Sequence, residues 1–233
     1  MVWTVEFTKE AATEFQKLDG LSILGLCRPD RFVDTMLPRR RFLNEADRIV
    51  KRICVFCGSH AGTKLIYRQT AKEMGRLLAL NDIELVYGGG SRGLMGAIAD
   101  AVLADGGTAI GVVPDNMFEQ EHVHSQLTDL RIVTSLLERK ALMAELSEGF
   151  VALPGGLGTM DEFFEMWTWS QLGLHTKPCG LLNVAGYYDP LIVFLDAMVD
   201  KRFVSMDQRT TLLVHETPTA LLNAFTHGKS SMR

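Results

Sequence analysis

"FVALPGGLGTMDEFFEMWTW", residues 150–169, reads as three pieces in order: an apolar run, a turn built on Gly155, Gly156 and Gly158, and a stretch of helical spacing that opens with Asp161 and Glu162. An apolar run without alternation suits a strand buried on both faces, and a glycine turn is how such a strand hands over to a covering helix. The fold follows from whether this unit recurs along the chain.

It does recur. "ICVFCG" (53–58), "IELVYG" (83–88), "TAIGVVP" (108–114), "LRIVTS" (130–135), "GFVALPG" (149–155), "CGLLNV" (179–184) and "TTLLVHE" (210–216) carry the short apolar, β-branched runs of strands. Between them, "KLIYRQTAKEMGRLLAL", "GLMGAIADAVLADGG", "LLERKALMAELSEG", "TMDEFFEMWTWSQLG" and "PLIVFLDAMVDKRF" space their apolar residues as helices do. Strands alternating with helices predict an α/β fold, a parallel sheet with helices on both faces. In such a sheet ligands sit beyond the carboxyl ends of the strands, where loops enter helix N-termini. The two glycine-rich turns, "YGGGSRGLMG" (87–96) and "LPGGLGT" (153–159), fall there.

Composition narrows the ligand. The 233 residues are 47% hydrophobic, enough for a full core, and carry 24 basic against 28 acidic side chains. A near-neutral balance provides no general attraction to nucleic acid or to an anionic membrane, which favours a small-molecule ligand. No apolar run is long enough to span a bilayer. "RRRFL" (39–43) is followed by "NEADRIVKR", not by the apolar stretch of an export signal, so a cytoplasmic location is expected. Cys27, Cys54, Cys57 and Cys179 are too scattered for a disulfide scaffold. "CVFC" (54–57) lies in a strand, where positions i and i+3 face opposite ways, which argues against a redox or zinc pair.

Residues 1–50 differ from the rest. "VWTVEFTKEAATEFQKLDG" resembles the opening of bacterial ribosome-dependent mRNA interferase toxins, but so short a piece cannot build that fold and the toxin's catalytic stretch is missing. The segment is read as an N-terminal extension, with Met36 as an alternative start, ahead of a single domain over 51–228.

"GGGSRG" (88–93) fits the dinucleotide pattern GxGxxG, with Gly88 permitting the turn, Gly90 the approach of a phosphate and Gly93 close helix packing. Asp115, the candidate ribose acid, follows Pro114 and lies off the strand end, so nicotinamide or flavin binding is disfavoured. "PGGLGT" has a clearer purpose: successive glycine amides before a helix N-terminus present N–H donors and a positive dipole end to an anion. Neither turn contains the GK[ST] of a P-loop. "TMDE" (159–162) also matches a capping box in which Thr159 caps the helix and Glu162 returns to a backbone amide. Against that, an acid beside a phosphate must be aimed elsewhere, and the attached sugar is the natural target.

"LLERKALM" (136–143) places Arg139 and Lys140 on a helix, by periodicity alone a solvated pair. Taken together, "RKALM", "ALPGGLGTMDE", "VYGGGSRGLMG", "KPCGLLN" and "GYYDPL" resemble the Lonely Guy family of cytokinin-activating phosphoribohydrolases over residues 53 to about 225. The resemblance implies a Rossmann-like homodimer or larger homo-oligomer that hydrolyses an N6-substituted adenosine 5′-monophosphate to free base and ribose 5-phosphate. It implies catalytic roles for Arg139 and Glu162. Glu121, Lys140, Gly155, Gly156, Leu157, Gly158, Thr159, Met160, Asp161 and Thr168 would contact the nucleotide, with Gly89, Gly90 and Ser91 from the other turn. Arg92 in "GGGSRGLMG", "SLLE" before Arg139 where plant members tend to show "DMHQ", and His122 after Glu121 are departures that bear on base preference rather than reaction type.

Breaking a base from ribose builds positive charge at the anomeric carbon, so a carboxylate can both stabilise the cation and direct water. No cofactor and no metal is expected. Relatives are often called lysine decarboxylases, but neither a Schiff-base lysine nor a partner for a pyridine nitrogen can be assigned. "HVH" (122–124) is read as a surface loop rather than a metal site, Glu165 as exposed, and the aromatic residues Phe163, Phe164, Trp167 and Trp169 as buried or at an interface. A non-catalytic nucleotide sensor and a nicotinamide oxidoreductase are the competing readings.

Overall fold

A computed structural model describes residues 50–117 and 122–226. Within them seven parallel strands form one sheet in the order β4-β3-β2-β1-β5-β6-β7. The strands are β1 (Arg52–Phe56), β2 (Glu84–Tyr87), β3 (Ala109–Pro114), β4 (Asp129–Val133), β5 (Gly149–Ala152), β6 (Cys179–Leu182) and β7 (Leu212–His215). Each lies within or one residue from a run expected from the sequence. The central strands are buried on both faces, as continuous apolar runs require.

The covering helices are α1 (Leu65–Leu80), α2 (Gly93–Ala104), α3 (Leu136–Leu146), α4 (Leu157–Gln171), α5 (Asp189–Asp200), α6 (Met206–Thr210) and α7 (Pro218–Thr226). One face of the sheet packs Ile53, Val55, Leu85 and Val151 with Met74, Leu78, Ile98 and Phe225 from α1, α2 and α7. The other packs Phe56, Val86, Phe150 and Leu181 with Met143, Phe163, Trp167 and Leu195 from α3, α4 and α5. Cys57 belongs to the first cluster and Cys54 to the second, the opposite facing expected of i and i+3 in a strand.

The short helices α6 and α7 were not expected. Proline opens α7, a favoured first helical position, and its Leu221 and Phe225 press so closely on β5 and β6 that a Cβ at Gly149 or Gly180 would meet them at 2.8 and 2.6 Å. Those glycines serve helix packing. The N-terminal extension lies outside the described residues, and no helix among the described residues is long and apolar enough to cross a membrane.

Candidate active site

The chain builds the sheet outward from β1 through β2 and β3 to β4, then returns to the far side of β1 with β5. The strand order therefore reverses between β1 and β5, and a ligand crevice is expected beyond their carboxyl ends. The β1–α1 and β5–α4 turns meet at that point: Leu153 donates to the Phe56 carbonyl at 2.9 Å, and Gly58 donates to the Pro154 carbonyl at 3.1 Å.

Helix α4 starts earlier than the capping-box reading allows. Its N-cap is Gly156, with no side chain capping it, and its first internal bond runs from Met160 N to the Gly156 carbonyl. Thr159 is thus the third helical residue and Glu162 the sixth, which takes Glu162 out of capping register. Of the two readings of "TMDE", the capping box is the one this register excludes. The cause is Gly155: a Cβ there would meet Thr159 Oγ1 at 2.1 Å, so its absence lets the buried Thr159 fold inward and the helix begin ahead of it. The first turn of α4 is left as an uncapped set of N–H donors at the β1–β5 switch point.

Glu162 instead faces Arg139, with Oε1 4.0 Å from Nη1. Arg139 is buried, in the first turns of α3, a helix capped by the Ser135 side chain accepting from Glu138 N at 3.1 Å. Arg139 Nη2 donates to the Gly88 carbonyl at 3.0 Å, so the guanidinium closes over the end of β2. Gly88 makes room for it, since a Cβ there would lie 2.2 Å from Nη2. That is a different task from the turn assigned to Gly88 by sequence. Burial and then the Glu162 carboxylate push both the Cys54 and the Cys57 thiols up.

Lys140 joins the same two helices. Its ammonium lies 3.1 Å from Asp161 and 2.6 Å from Glu165, both on α4. Burial works against its charge, but the Glu165 and Asp161 carboxylates outweigh burial and hold its pKa above the ordinary lysine value. Glu165 is therefore a half-buried ion-pair partner and not the exposed acid expected. Thr168 is exposed one turn beyond Glu165 on the same side of α4. Leu157, the first residue of α4, is 91% exposed, while Met160 packs against the core. Phe163 and Trp167 are buried within the chain, and Trp167 Nε1 donates to Thr211 at 3.0 Å.

The other glycine turn is engaged in pairing. Gly90 bridges Val123, His124 N donates to the Gly89 carbonyl at 2.9 Å, and Ser91 gives both its amide (2.9 Å) and its hydroxyl (2.6 Å) to the His122 carbonyl. Gly89 takes a left-handed φ of 79° to do this. "GGGSRG" thus spends these groups on the 122–124 segment, which explains its glycines without a dinucleotide. His124 is buried with Nε2 3.1 Å from Asp100 while His122 is exposed, so the surface-loop reading of "HVH" fails for His124 alone. Glu121 lies outside the described residues.

Sequence reasoning missed the contribution of "GYYDP". Tyr188 donates to the Leu153 carbonyl at 2.6 Å and Tyr187 to the Gly155 carbonyl at 2.5 Å, so both hydroxyls end on the β5–α4 turn. The tyrosine pair was the signal available, but its target is more than 30 residues away in sequence.

The family described as "Possible lysine decarboxylase" matches residues 95–225. A "Probable cytokinin riboside 5'-monophosphate phosphoribohydrolase" of Oryza sativa subsp. japonica is 48% identical over 73% of this chain and 77% of its own length. A cytokinin riboside 5'-monophosphate phosphoribohydrolase of Arabidopsis thaliana is 49% identical over 68% of this chain and 75% of its own. Among solved structures, the molybdenum cofactor carrier protein of Chlamydomonas reinhardtii has a TM-score of 0.57 at 22% identity, over 76% of this chain and 96% of that one. The molybdenum cofactor binding protein of Rippkaea orientalis has a TM-score of 0.58 at 18% identity, over 76% and 95%, and at such identities the likeness establishes the shared fold. With nearly half of the aligned positions identical to these plant proteins across most of their length, the chain belongs to the Lonely Guy family of cytokinin riboside 5'-monophosphate phosphoribohydrolases.

Proposed function

We propose that this protein hydrolyses the N-glycosidic bond of an adenosine 5′-monophosphate, N6-substituted in its preferred form, to give free base and ribose 5-phosphate. The observation that carries the reading is the convergence of Arg139 and Glu162, from two different helices, 4.0 Å apart beside the uncapped start of α4. The relatives named for this reaction on cytokinin riboside 5′-monophosphates support the substrate class.

In this reading the work is divided. The amides of Gly156, Leu157, Gly158 and Thr159 hold the 5′-phosphate, so that binding far from the scissile bond positions the sugar. As the C1′–N9 bond breaks, its electron pair leaves with the purine, which takes up a proton. Glu162 stabilises the cation left at C1′ and accepts a proton from the water that adds there. Arg139, held by the Gly88 carbonyl and paired with Glu162, steadies the nucleotide. Lys140, Asp161 and Glu165 brace α3 against α4, with Thr168 and Glu121 completing the nucleotide contacts.

Residues 51–228 are the catalytic domain in this reading, in a cytoplasmic homodimer or larger homo-oligomer. The exposed Leu136, Leu137 and Leu157, on the first turns of the two helices that carry Arg139 and Glu162, support an assembly that covers the rim of the site. The free, buried Cys54, Cys57 and Cys179 suit a reducing compartment.

The test is incubation of the purified protein with AMP and with isopentenyladenosine monophosphate, followed by chromatography for free base. Release that is abolished by Glu162→Ala supports the reading. Release that survives Glu162→Ala overturns the assignment of that carboxylate, and nucleotide binding without release overturns hydrolysis in favour of a sensor.

A further inference from the structure

The turn that would hold the phosphate is itself held, carbonyl by carbonyl. The Leu153 oxygen accepts from the Tyr188 hydroxyl, the Pro154 oxygen from Gly58 N, the Gly155 oxygen from the Tyr187 hydroxyl, and the Gly156 oxygen from Met160 N. In a planar trans peptide the C=O and the following N–H point in opposite directions. Fixing the Pro154 and Gly155 carbonyls therefore fixes the Gly155 and Gly156 amides on the opposite side of the turn.

The Gly155–Gly156 peptide is the weak point of that arrangement. It lies between two residues without side chains, and such a unit rotates between alternative orientations more easily than any other. A flipped peptide would aim a carbonyl oxygen where an N–H donor had been, and an anion would meet a negative dipole end. Among the described hydrogen bonds, only the one from Tyr187 holds the Gly155 oxygen. Tyr187 is in turn seated edge-on between two rings, 5.7 Å from Tyr67 and 4.9 Å from Tyr188. Tyr67 lies against Gly62 in the β1–α1 turn, where a Cβ would meet its ring at 2.9 Å.

We infer that Tyr187 is a positioning residue for the 5′-phosphate: its hydroxyl locks the Gly155–Gly156 peptide in the orientation that presents the Gly156 amide to the anion. The inference rests on the phosphoribohydrolase reading for the identity of the anion, but it concerns affinity rather than bond cleavage. Tyr187 is partly exposed and buries no essential core surface, so its hydroxyl can be removed without unfolding the chain.

The test compares wild type, Tyr187→Phe and Tyr67→Phe. Affinity for ribose 5-phosphate is read by calorimetry, which needs no turnover, and KM and kcat for AMP are read by base release. Loss of one hydrogen bond to a pre-organised donor predicts that Tyr187→Phe weakens ribose 5-phosphate binding and raises KM about threefold to tenfold, with kcat nearly unchanged. Tyr67→Phe, which keeps the aromatic stack and touches no carbonyl of the turn, should match wild type. Unchanged ribose 5-phosphate affinity in Tyr187→Phe overturns the inference, as does a loss confined to kcat. Should wild type bind ribose 5-phosphate and release no base, the proposed function falls; weaker binding by Tyr187→Phe still supports the peptide lock. Absence of ribose 5-phosphate binding to wild type overturns the inference, while base release decides the proposed function separately.

Discussion

Gly88 and Arg139 are matched by subtraction: the guanidinium occupies the volume a Cβ at Gly88 would need, with Nη2 2.2 Å from that point, and donates to the Gly88 carbonyl at 3.0 Å. The glycine is thus part of the mechanism that sets the height of Arg139 above the strand ends. Gly88→Ala must push the guanidinium outward, because the backbone of β2 is held between β1 and β3 and cannot yield. A displacement on the order of 1 Å at a catalytic group costs about 100-fold. The expected outcome is a loss of that size in kcat/KM for AMP, with circular dichroism of the variant unchanged.

The glycines of the β5–α4 turn separate into two kinds. Gly155 is required by packing, since a Cβ meets the Thr159 side chain at 2.1 to 2.9 Å, whereas a Cβ at Gly156 or Gly158 meets nothing within 4 Å. Gly155→Ala should therefore destabilise the fold by about 1–3 kcal/mol through overpacking. Gly158→Ala should stabilise it by about 0.5–1 kcal/mol, because the residue lies inside α4 and alanine loses less backbone entropy. The same methyl stands in the space offered to the ligand, so Gly158→Ala should raise KM for AMP. Thermal melts beside initial rates give both readouts, and a Gly158→Ala enzyme that is more stable with unchanged KM would remove the phosphate from this turn.

The cap of α3 carries catalytic consequences as well. Ser135 accepts from Glu138 N, and the Glu138 carboxylate in return accepts from the Thr134 hydroxyl and amide, which holds its pKa below the ordinary glutamate value. Arg139 follows directly. Ser135→Ala should cost about 1 kcal/mol in urea unfolding. It should also lower kcat by loosening the first turn that aims Arg139, whereas Ser135→Asp, which retains a capping oxygen, should restore both.

What the sequence made legible follows from how local each feature is. The strands and long helices were readable because their apolar spacing is set within a few residues, and the position of Arg139 and Glu162 at helix starts after strands followed from that pattern. The sequence leaves two readings of "TMDE" open because the decision between Thr159 and Gly156 as cap depends on whether Thr159 can tuck against Gly155, a steric fact invisible in a capping motif. Glu165 read as exposed because its partner, Lys140, comes from another helix. His124 read as surface for the same reason, its partner Asp100 lying on α2. Tyr187 and Tyr188 stand out as a pair, but nothing local in the sequence points them to a turn formed by residues 153–155.

His175 gives the protein a defined acid sensitivity. The ring is part-buried against Phe150, its Nδ1 accepts from Lys177 N at 3.1 Å, and its Nε2 therefore bears the proton that lies 2.9 Å from the Met166 carbonyl. Burial lowers its pKa from 6.5 to about 4, the Met166 carbonyl opposing and Lys177 adding to the fall. Above pH 6.5 the ring is neutral in both folded and unfolded chains, and its contribution to stability is complete. Between 6.5 and about 4 the unfolded chain binds the proton and the folded chain resists it, so stability falls as the pH falls through that window. Because the ring is partly open to water, screening discounts the loss to about 1–2 kcal/mol. Urea unfolding at pH 7 and pH 4.5 should show a larger difference for wild type than for His175→Gln, which can donate to Met166 but cannot titrate. Equal differences would mean that the imidazole takes up its proton in the folded protein as readily as in water.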